Sequence, residues 1–312
     1  MVAGCASGAP GAPAPSTEVF ARRGVAPNAR TRIAKVMPPF APRKLREMRE
    51  QLVPLHERTG PPKPGEWRAD HPESGQSFDE YLASRPTAPS AARRTLVVQP
   101  LGVVDETRGR ILVLVGEALT AYFGLPTRVE AALDLGKPPR EARRRVAQTS
   151  QLLSGWILRD VLEPRLPPDA AALLGFTTED LWPGEGWNFV FGEASLAKRV
   201  GVWSLHRYGD PTIDPGAFRQ TLRRAVKVAL HESGHMFSLE HCTAFRCVQA
   251  GINSLEEEDA SPLWPCPDCL AKIAWVTSTD PKARLGAMAD FCRRADLPPE
   301  AHHFERDLAA LG

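Results

Sequence analysis

Residues 215–247 read PGAFRQTLRRAVKVALHESGHMFSLEHCTAFRC. Apolar side chains in the first part of this segment recur at i, i+3, i+4 and i+7, and arginine and lysine side chains take the opposite face. The spacing predicts an amphipathic helix over residues 215–239. Two histidines stand near the end of that helix, so the most strongly patterned element of the chain also carries metal-binding residue types.

These histidines belong to the pattern HExxH, formed by residues 231–235. Residues i and i+4 of a helix lie one turn apart on the same face, so His231 and His235 can bind one Zn²⁺ at about 2.0–2.1 Å each. Glu232 lies beside them and can reach a water on the metal as a general base. A sharp turn after the helix would bring His241 round as a third ligand. Three protein ligands leave one position for water, which is typical of catalytic zinc. A single histidine would more often be a packed or surface residue, but three at this spacing favour a metal site.

A second group of metal-binding residues follows directly. Four of the six cysteines, Cys242, Cys247, Cys266 and Cys269, form two closely spaced pairs. Two such pairs are typical of a closed, structural four-cysteine zinc site. Buried free cysteines or a disulfide are the alternatives. Cys292 stands apart and is predicted to be a small core residue.

Composition excludes several classes of protein. The chain has 312 residues, a net charge of +2 and a pI near 8.2, without a Lys/Arg stripe interleaved with aromatic residues. This balance argues against a nucleic-acid partner. The apolar runs are far shorter than the roughly 20 residues of a membrane span, so no integral membrane span is expected. Clustered cysteines argue against a secreted disulfide framework, and thiolate ligands suit a reducing cytoplasm.

The chain divides by composition into three segments. Residues 1–45 are basic and rich in Pro and Ala, and we expect disorder there. Residues 46–93 form a Pro-rich connector, which we expect to pack on the domain that follows. Residues 94–312 form that domain, with a helical extension from about residue 280. Its predicted helices alternate with strands, which indicates an α/β fold with a mixed, mostly parallel sheet. We expect strands at 95–100, 129–135, 172–177, 188–192 and 200–208, and helices at 44–58, 108–123, 141–161, 215–239 and 282–295. His302 and His303 are expected on a solvated helix face.

The first residues carry a separate signal. Residues 2–5 read VAGC and precede a Gly/Ala/Pro-rich tether, which resembles the end of a bacterial lipoprotein signal. If translation starts upstream, Cys5 would be a lipid anchor. A ragged N-terminus and an organelle transit peptide are the alternatives.

The combined histidine and cysteine motif resembles the archaemetzincins, a family of zinc metallopeptidases in the metzincin clan. In that family an extended HExxHxxGxxH motif runs straight into a cysteine motif, and residues 231–247 and 266–269 match both. Residues 174–181, 187–195 and 201–208 are similar to strands of the family's sheet, and the resemblance covers roughly residues 60–275. It implies a metzincin-like fold in which the active-site helix is followed by a four-cysteine zinc loop. It also implies two Zn²⁺ ions: a catalytic one on His231, His235 and His241 with Glu232 as base, and a structural one on the four cysteines.

Two residues depart from the family pattern. Ser238 replaces the glycine of the turn, where a positive φ would cost serine about 1–2 kcal/mol. Gln249 replaces the methionine that packs beneath the zinc, and needs hydrogen-bond partners if it is buried.

The predicted activity is hydrolysis of peptide bonds in a peptide or protein substrate, by a monomer. Residues 188–195 would line the cleft, where an extended substrate can add as a further strand. Ser238 and Gln249 motivate an alternative, a catalytically inactive zinc protein that binds peptides or protein partners. A four-cysteine zinc ribbon that binds nucleic acid is a third hypothesis, which the charge balance and the HExxH pattern oppose.

Overall fold

The structure is a computed structural model that describes residues 41–312. Cys5 and nearly all of the basic N-terminal segment lie outside these residues, so the expected disorder and the possible lipid anchor stay predictions. Within residues 41–312, no helix is long and apolar enough to cross a membrane.

A five-stranded sheet forms the centre of the fold. Its order is β2-β1-β5-β8-β7, and every neighbouring pair is parallel except β7 and β8. The strands are β1 (Thr95–Leu101), β2 (Thr127–Val129), β5 (Ala170–Thr177), β7 (Gly192–Ser195) and β8 (Val200–Ser204). All eight residues of β5 are buried, because this strand has neighbours on both edges and is covered on both faces. The mixed, mostly parallel sheet predicted from sequence is confirmed.

Ten α-helical segments are present in residues 41–312. They are α1 (Pro42–Leu52), α2 (Trp67–Asp70), α3 (Phe78–Ala83), α4 (Glu106–Phe123), α5 (Ser154–Trp156), α6 (Pro215–Met236), α7 (Leu255–Ala260), α8 (Pro267–Thr277), α9 (Pro281–Arg294) and α10 (Pro298–Ala310). The long helix α6 begins at an N-cap, where the Asp214 carboxylate accepts a hydrogen bond from the Ala217 backbone N–H at 2.8 Å. Pro215 fits the first helical position because its missing N–H would lack a partner there.

The predicted helix over residues 141–161 is wrong in its first half. Residues 143–153 form a hairpin of β3 (Arg143–Val146) and β4 (Thr149–Leu153), and β4 pairs in parallel with β6 (Asp180–Trp182). Helical structure starts only at α5 and continues as a π-helix over Ile157–Leu162. The apolar stripe behind the prediction is divided between the two: Leu152 and Leu153 lie in β4, whereas Trp156 and Ile157 lie in the helical part. The earlier residues are polar and are held by cross-strand bonds: Arg144 Nε donates to Gln151 Oε1 at 2.7 Å.

Three predicted strands have different limits. The strand expected at 129–135 ends at Val129, and Leu133 contributes only an isolated bridge. The strand expected at 188–192 instead forms over Gly192–Ser195 as β7. The strand expected at 200–208 stops at Ser204, whose hydroxyl accepts the His206 N–H at 3.1 Å and turns the chain into a short 3-10 helix.

The prediction of a solvated face for the histidine pair is wrong for His303. His302 is exposed, but His303 is buried and its ring stacks on Trp264 with 3.8 Å between centroids. His303 lies beside Asp307, which also binds His56 Nε2 at 2.8 Å. This group, the His56–His303–Asp307 cluster, joins the chain just after α1 to the last helix. Cys292 is buried, as predicted.

Candidate active site

The three motif histidines lie together beyond the end of α6. His231, His235 and His241 each offer one ring nitrogen, and these three atoms lie within 4.8 Å of one another. His231 and His235 stand one helical turn apart, with 2.9 Å between their Nε2 atoms. The structure thus places the predicted zinc ligands as a single group.

The hydrogen bonds of the rings fix which nitrogens face that common point. His231 Nδ1 lies 2.9 Å from the Val248 carbonyl oxygen, and His235 Nδ1 lies 2.6 Å from that of Leu239. A carbonyl can only accept, so both rings carry their proton on Nδ1 and present a lone pair at Nε2. Burial also lowers the pKa of His231 to about 3, which keeps that ring neutral. Two lone pairs facing each other at 2.9 Å repel, and a cation between them removes the repulsion. These residues therefore fit a zinc ion.

The third ring is held differently. His241 Nδ1 lies 2.9 Å and 3.0 Å from the two carboxylate oxygens of Glu73, a residue far away in the chain. Since an ionised carboxylate only accepts, this contact also puts the proton on Nδ1 and leaves Nε2 for a metal.

Glu232 has the environment of a reacting group. Its side chain is buried and Oε2 has no hydrogen-bond partner among the described residues, although an orphaned polar atom of this kind costs about 1–3 kcal/mol. Burial raises the pKa of Glu232 to about 8. Glu232 and His231 line a cavity of about 30 Å³, enough for ordered water. Its other lining residues include Phe191, Gly192, Trp203, Tyr208, Lys227, Val248 and Glu258.

The turn after α6 aims the chain toward His241. Ser238 has φ = 66°, and the Ser238 and Leu239 amides donate to the carbonyls of His235 and Gly234 at 2.8 Å and 3.1 Å. This is the Schellman ending, which places one residue in the left-handed region. The positive φ expected at Ser238 is confirmed. The Ser238 hydroxyl accepts a hydrogen bond from the Thr87 N–H at 3.0 Å.

The four clustered cysteines form a second group. Their sulfur atoms lie within 4.8 Å of one another, and all four residues are buried and free of disulfides. Backbone amides point at these sulfurs: the Cys266 N–H donates to Cys247 Sγ at 3.2 Å, and the Cys269 N–H to Cys266 Sγ at 3.4 Å. Amide donors stabilise thiolates, so this geometry fits a closed tetrahedral metal site. Cys242 directly follows His241, so the two groups share one loop.

Comparison with known proteins identifies the family to which this chain belongs. A family profile described as Peptidase family M54 matches residues 170–275. Archaemetzincin-2 of Homo sapiens is 32% identical over 266 residues, which cover 73% of this chain and 73% of that protein. The chain belongs to the archaemetzincin family. It is therefore a zinc metallopeptidase. An archaeal archaemetzincin, from Thermococcus kodakarensis, is 32% identical over 188 residues, covering 58% of this chain and 95% of its own length.

Among solved structures, the archaemetzincin of Methanopyrus kandleri matches with a TM-score of 0.46 and 31% identity. The match covers 59% of this chain and 94% of that one.

Gln249 departs from the archaemetzincin pattern, and its surroundings satisfy only part of its hydrogen-bonding capacity. The side chain is buried beneath α6, and its Nε2 donates to the His231 carbonyl oxygen at 3.1 Å. Its Oε1 has no hydrogen-bond partner among the described residues. That oxygen lies against Gly234, where an added Cβ would be 2.1 Å away. The buried amide group of Gln249 therefore has a hydrogen-bond partner for its nitrogen but not for its oxygen.

Two features of this archaemetzincin escape sequence reasoning. Glu73 stands in a Pro-rich segment without periodicity, and nothing in its spacing connects it to His241. The His56–His303–Asp307 cluster draws its members from the two ends of the described chain, so no local motif contains them. In both cases the only signal is tertiary proximity.

Proposed function

We propose that this archaemetzincin hydrolyses peptide bonds with a zinc ion held by His231, His235 and His241 and with Glu232 as the general base. One observation supports this assignment above the others: Nε2 lone pairs converge beside a buried carboxylate oxygen that has no partner. Zinc bound there would polarise the scissile carbonyl and lower the pKa of a bound water towards about 7.

The protein's own residues then carry the proton and position the substrate. A zinc cation at the three histidines would favour the ionised form of Glu232, whose Oε2 then takes the proton of the attacking water and passes it to the leaving amine. The Nδ1 hydrogen bonds keep the three rings in the tautomer that leaves Nε2 free. Burial around Glu232 excludes bulk water and strengthens these interactions.

We infer that the substrate binds as an extended strand along β7. This strand is the last of the sheet, it runs antiparallel to β8, and its outer edge has no strand partner among residues 41–312. Gly192 at its start lines the same cavity as His231 and Glu232. A peptide added to this edge would lie across the histidine group, with backbone hydrogen bonds supplying affinity.

We assign a second zinc to the four cysteines, with a structural role. The cage is closed and buried, so it offers no open position for a substrate. Thiolate ligands also favour a reducing compartment, so we place the protein in the cytoplasm, with a lipid anchor at Cys5 as the alternative. We further propose that it acts as a monomer.

Metal analysis and a peptide-cleavage assay test these assignments together. Wild type should hold two zinc ions, and His241→Ala and Cys266→Ala about one each. Glu232→Gln should keep both ions and lose about 10²–10⁴-fold in kcat. One zinc, lost only in Cys266→Ala, would refute the histidine site.

A second function is favoured by Gln249, whose buried unpaired oxygen lies beneath the histidine group. The candidate is a zinc protein that binds peptides without cleaving them. Two zinc ions with peptide binding, but with no cleavage that depends on Glu232, would support it over hydrolysis.

A further inference from the structure

The three histidines of the active site differ in what holds them. His231 and His235 lie on α6, and their Nδ1 atoms bind backbone carbonyls within the same region of the chain. His241 lies on an irregular loop after the left-handed residue Ser238. Among residues 41–312, the acceptor for its Nδ1 is the carboxylate of Glu73, which is 168 residues away in the chain.

The segment that carries Glu73 is fixed on both sides of it. Before Glu73, the Trp67 ring packs edge-on against the His241 ring, with 5.1 Å between centroids. The Trp67 backbone N–H donates to the Glu257 carboxylate at 3.2 Å. After Glu73, Gln76 accepts from the Lys272 ammonium through its carbonyl oxygen. These contacts fix the backbone on both sides of Glu73 and so keep its carboxylate beside His241.

We propose that Glu73 is a positioning residue for the zinc ligand His241, so that the segment preceding the sheet completes the active site. A carboxylate on the far nitrogen of a ligating histidine fixes its tautomer, orients its ring and raises its basicity. Only His241 needs such help, because it lies on a loop whereas the other two ligands share a rigid helix. Glu73 lies outside residues 170–275, which match the family profile. The proposal rests on the proposed histidine zinc site.

Zinc affinity gives a readout that is separate from catalysis. The full chain is loaded with zinc and titrated with a competing chelator. Glu73→Ala should bind the zinc of the histidine site about 10–100-fold more weakly and leave the cysteine-bound zinc unchanged. Glu73→Gln keeps an oxygen acceptor without the charge, and should fall between Ala and wild type. Glu57→Gln is the matched control, because this exposed carboxylate pairs with Arg246 instead.

Cobalt substitution separates positioning from a general structural role. Wild type and both variants are loaded with Co²⁺. Compared with wild type, the visible absorption bands of the histidine site should change in Glu73→Ala, and they should be close to those of wild type in Glu73→Gln. Thermal unfolding of the zinc-free proteins should be the same for wild type and Glu73→Gln.

The outcomes distinguish this proposal from the proposed function. Weaker zinc binding in Glu73→Ala without peptide cleavage by wild type would support the positioning role and refute hydrolysis. Cleavage by wild type, with zinc affinity and cobalt bands unchanged in Glu73→Ala, would overturn the positioning role alone. Absence of zinc from the wild-type histidine site would overturn both.

Discussion

At the scale of single residues, Ser238 and Gln249 show how this chain tolerates two departures from the family motif. Ser238 adopts the left-handed backbone that glycine would adopt at lower cost, and its hydroxyl gains a hydrogen bond to Thr87. Gln249 satisfies its amide N–H but not its carbonyl oxygen. The first departure is compensated locally, whereas the second leaves a buried polar atom unpaired.

The stability of variants at Ser238 should therefore depend on whether they keep the backbone strain and the hydrogen bond to Thr87. Glycine removes about 1–2 kcal/mol of backbone strain, but it loses a hydrogen bond of about 1 kcal/mol and gives the unfolded chain more conformational freedom. Because these effects oppose each other, the free energy of unfolding of Ser238→Gly should lie within about 1 kcal/mol of that of wild type. Alanine loses the hydrogen bond and keeps the strain, so Ser238→Ala should be about 1 kcal/mol less stable. Urea unfolding at saturating zinc measures both. An alanine variant as stable as the glycine variant would contradict this account.

At Gln249, the unpaired side-chain oxygen predicts that an apolar replacement of similar size will stabilise the protein. Methionine has a similar length and removes a buried orphan acceptor worth about 1–3 kcal/mol, at the loss of one hydrogen bond of about 1 kcal/mol. We expect Gln249→Met to raise the free energy of unfolding by about 1 kcal/mol in the same urea assay. A destabilised variant would mean that an internal water satisfies Oε1.

At the scale of elements, α6 and the β3–β4 hairpin show where sequence reasoning succeeds and fails. α6 has a full-length apolar stripe and an N-cap, so local pattern determines it. The hairpin depends on partners far away, such as Asp180, whose Oδ2 accepts from Gln151 Nε2 at 2.8 Å. The same distinction holds at the site. The histidines and cysteines follow from motif spacing, but Glu73 reaches His241 only through the tertiary fold.

Gly234 in α6 tests the packing of the helix against the loop beneath it. Alanine normally favours a helix over glycine by about 1 kcal/mol, but a Cβ at this position would be 2.1 Å from Gln249 Oε1. The overlap outweighs the propensity, so Gly234→Ala should destabilise by about 1–3 kcal/mol. The double variant Gly234→Ala/Gln249→Ala should be more stable than the sum of the two single changes predicts. Additive effects would refute the contact.

At the scale of the whole molecule, the His56–His303–Asp307 cluster joins the two ends of the described chain. Burial alone would raise the pKa of Asp307, but the neighbouring His303 and His56 rings outweigh it and bring that pKa well below its ordinary value. The carboxylate is therefore ionised and paired within the fold, so its partners depend on it.

Removing this carboxylate should weaken the whole fold. Asp307→Ala leaves the buried His56 and His303 side chains without their carboxylate partner and should cost about 3–5 kcal/mol, measured by urea unfolding. The exposed neighbour on the same helix supplies the control, since His302→Ala should stay within about 0.5 kcal/mol of wild type. Equal effects of the two substitutions would contradict a stabilising role for the cluster.

Metal removal should change thiol reactivity in two phases. In a Cys5→Ser background all remaining cysteines are buried, so a thiol reagent should find none of them reactive while zinc is bound. After chelation the four clustered thiols should react first. Cys292 should follow more slowly, because it is not part of the metal-binding group and stays buried in α9 when the metal is removed. Simultaneous reaction of all five would mean that the cysteine metal supports the entire core.

The central position of β5 decides which fragments of this protein can be handled in isolation. A recombinant piece limited to residues 170–275 would keep every metal-binding motif but lose β1, which hydrogen-bonds along the full length of β5. One edge of a strand with eight buried residues would then face solvent. Open apolar edges recruit further copies, so such a piece would aggregate although its zinc-binding sequence is intact.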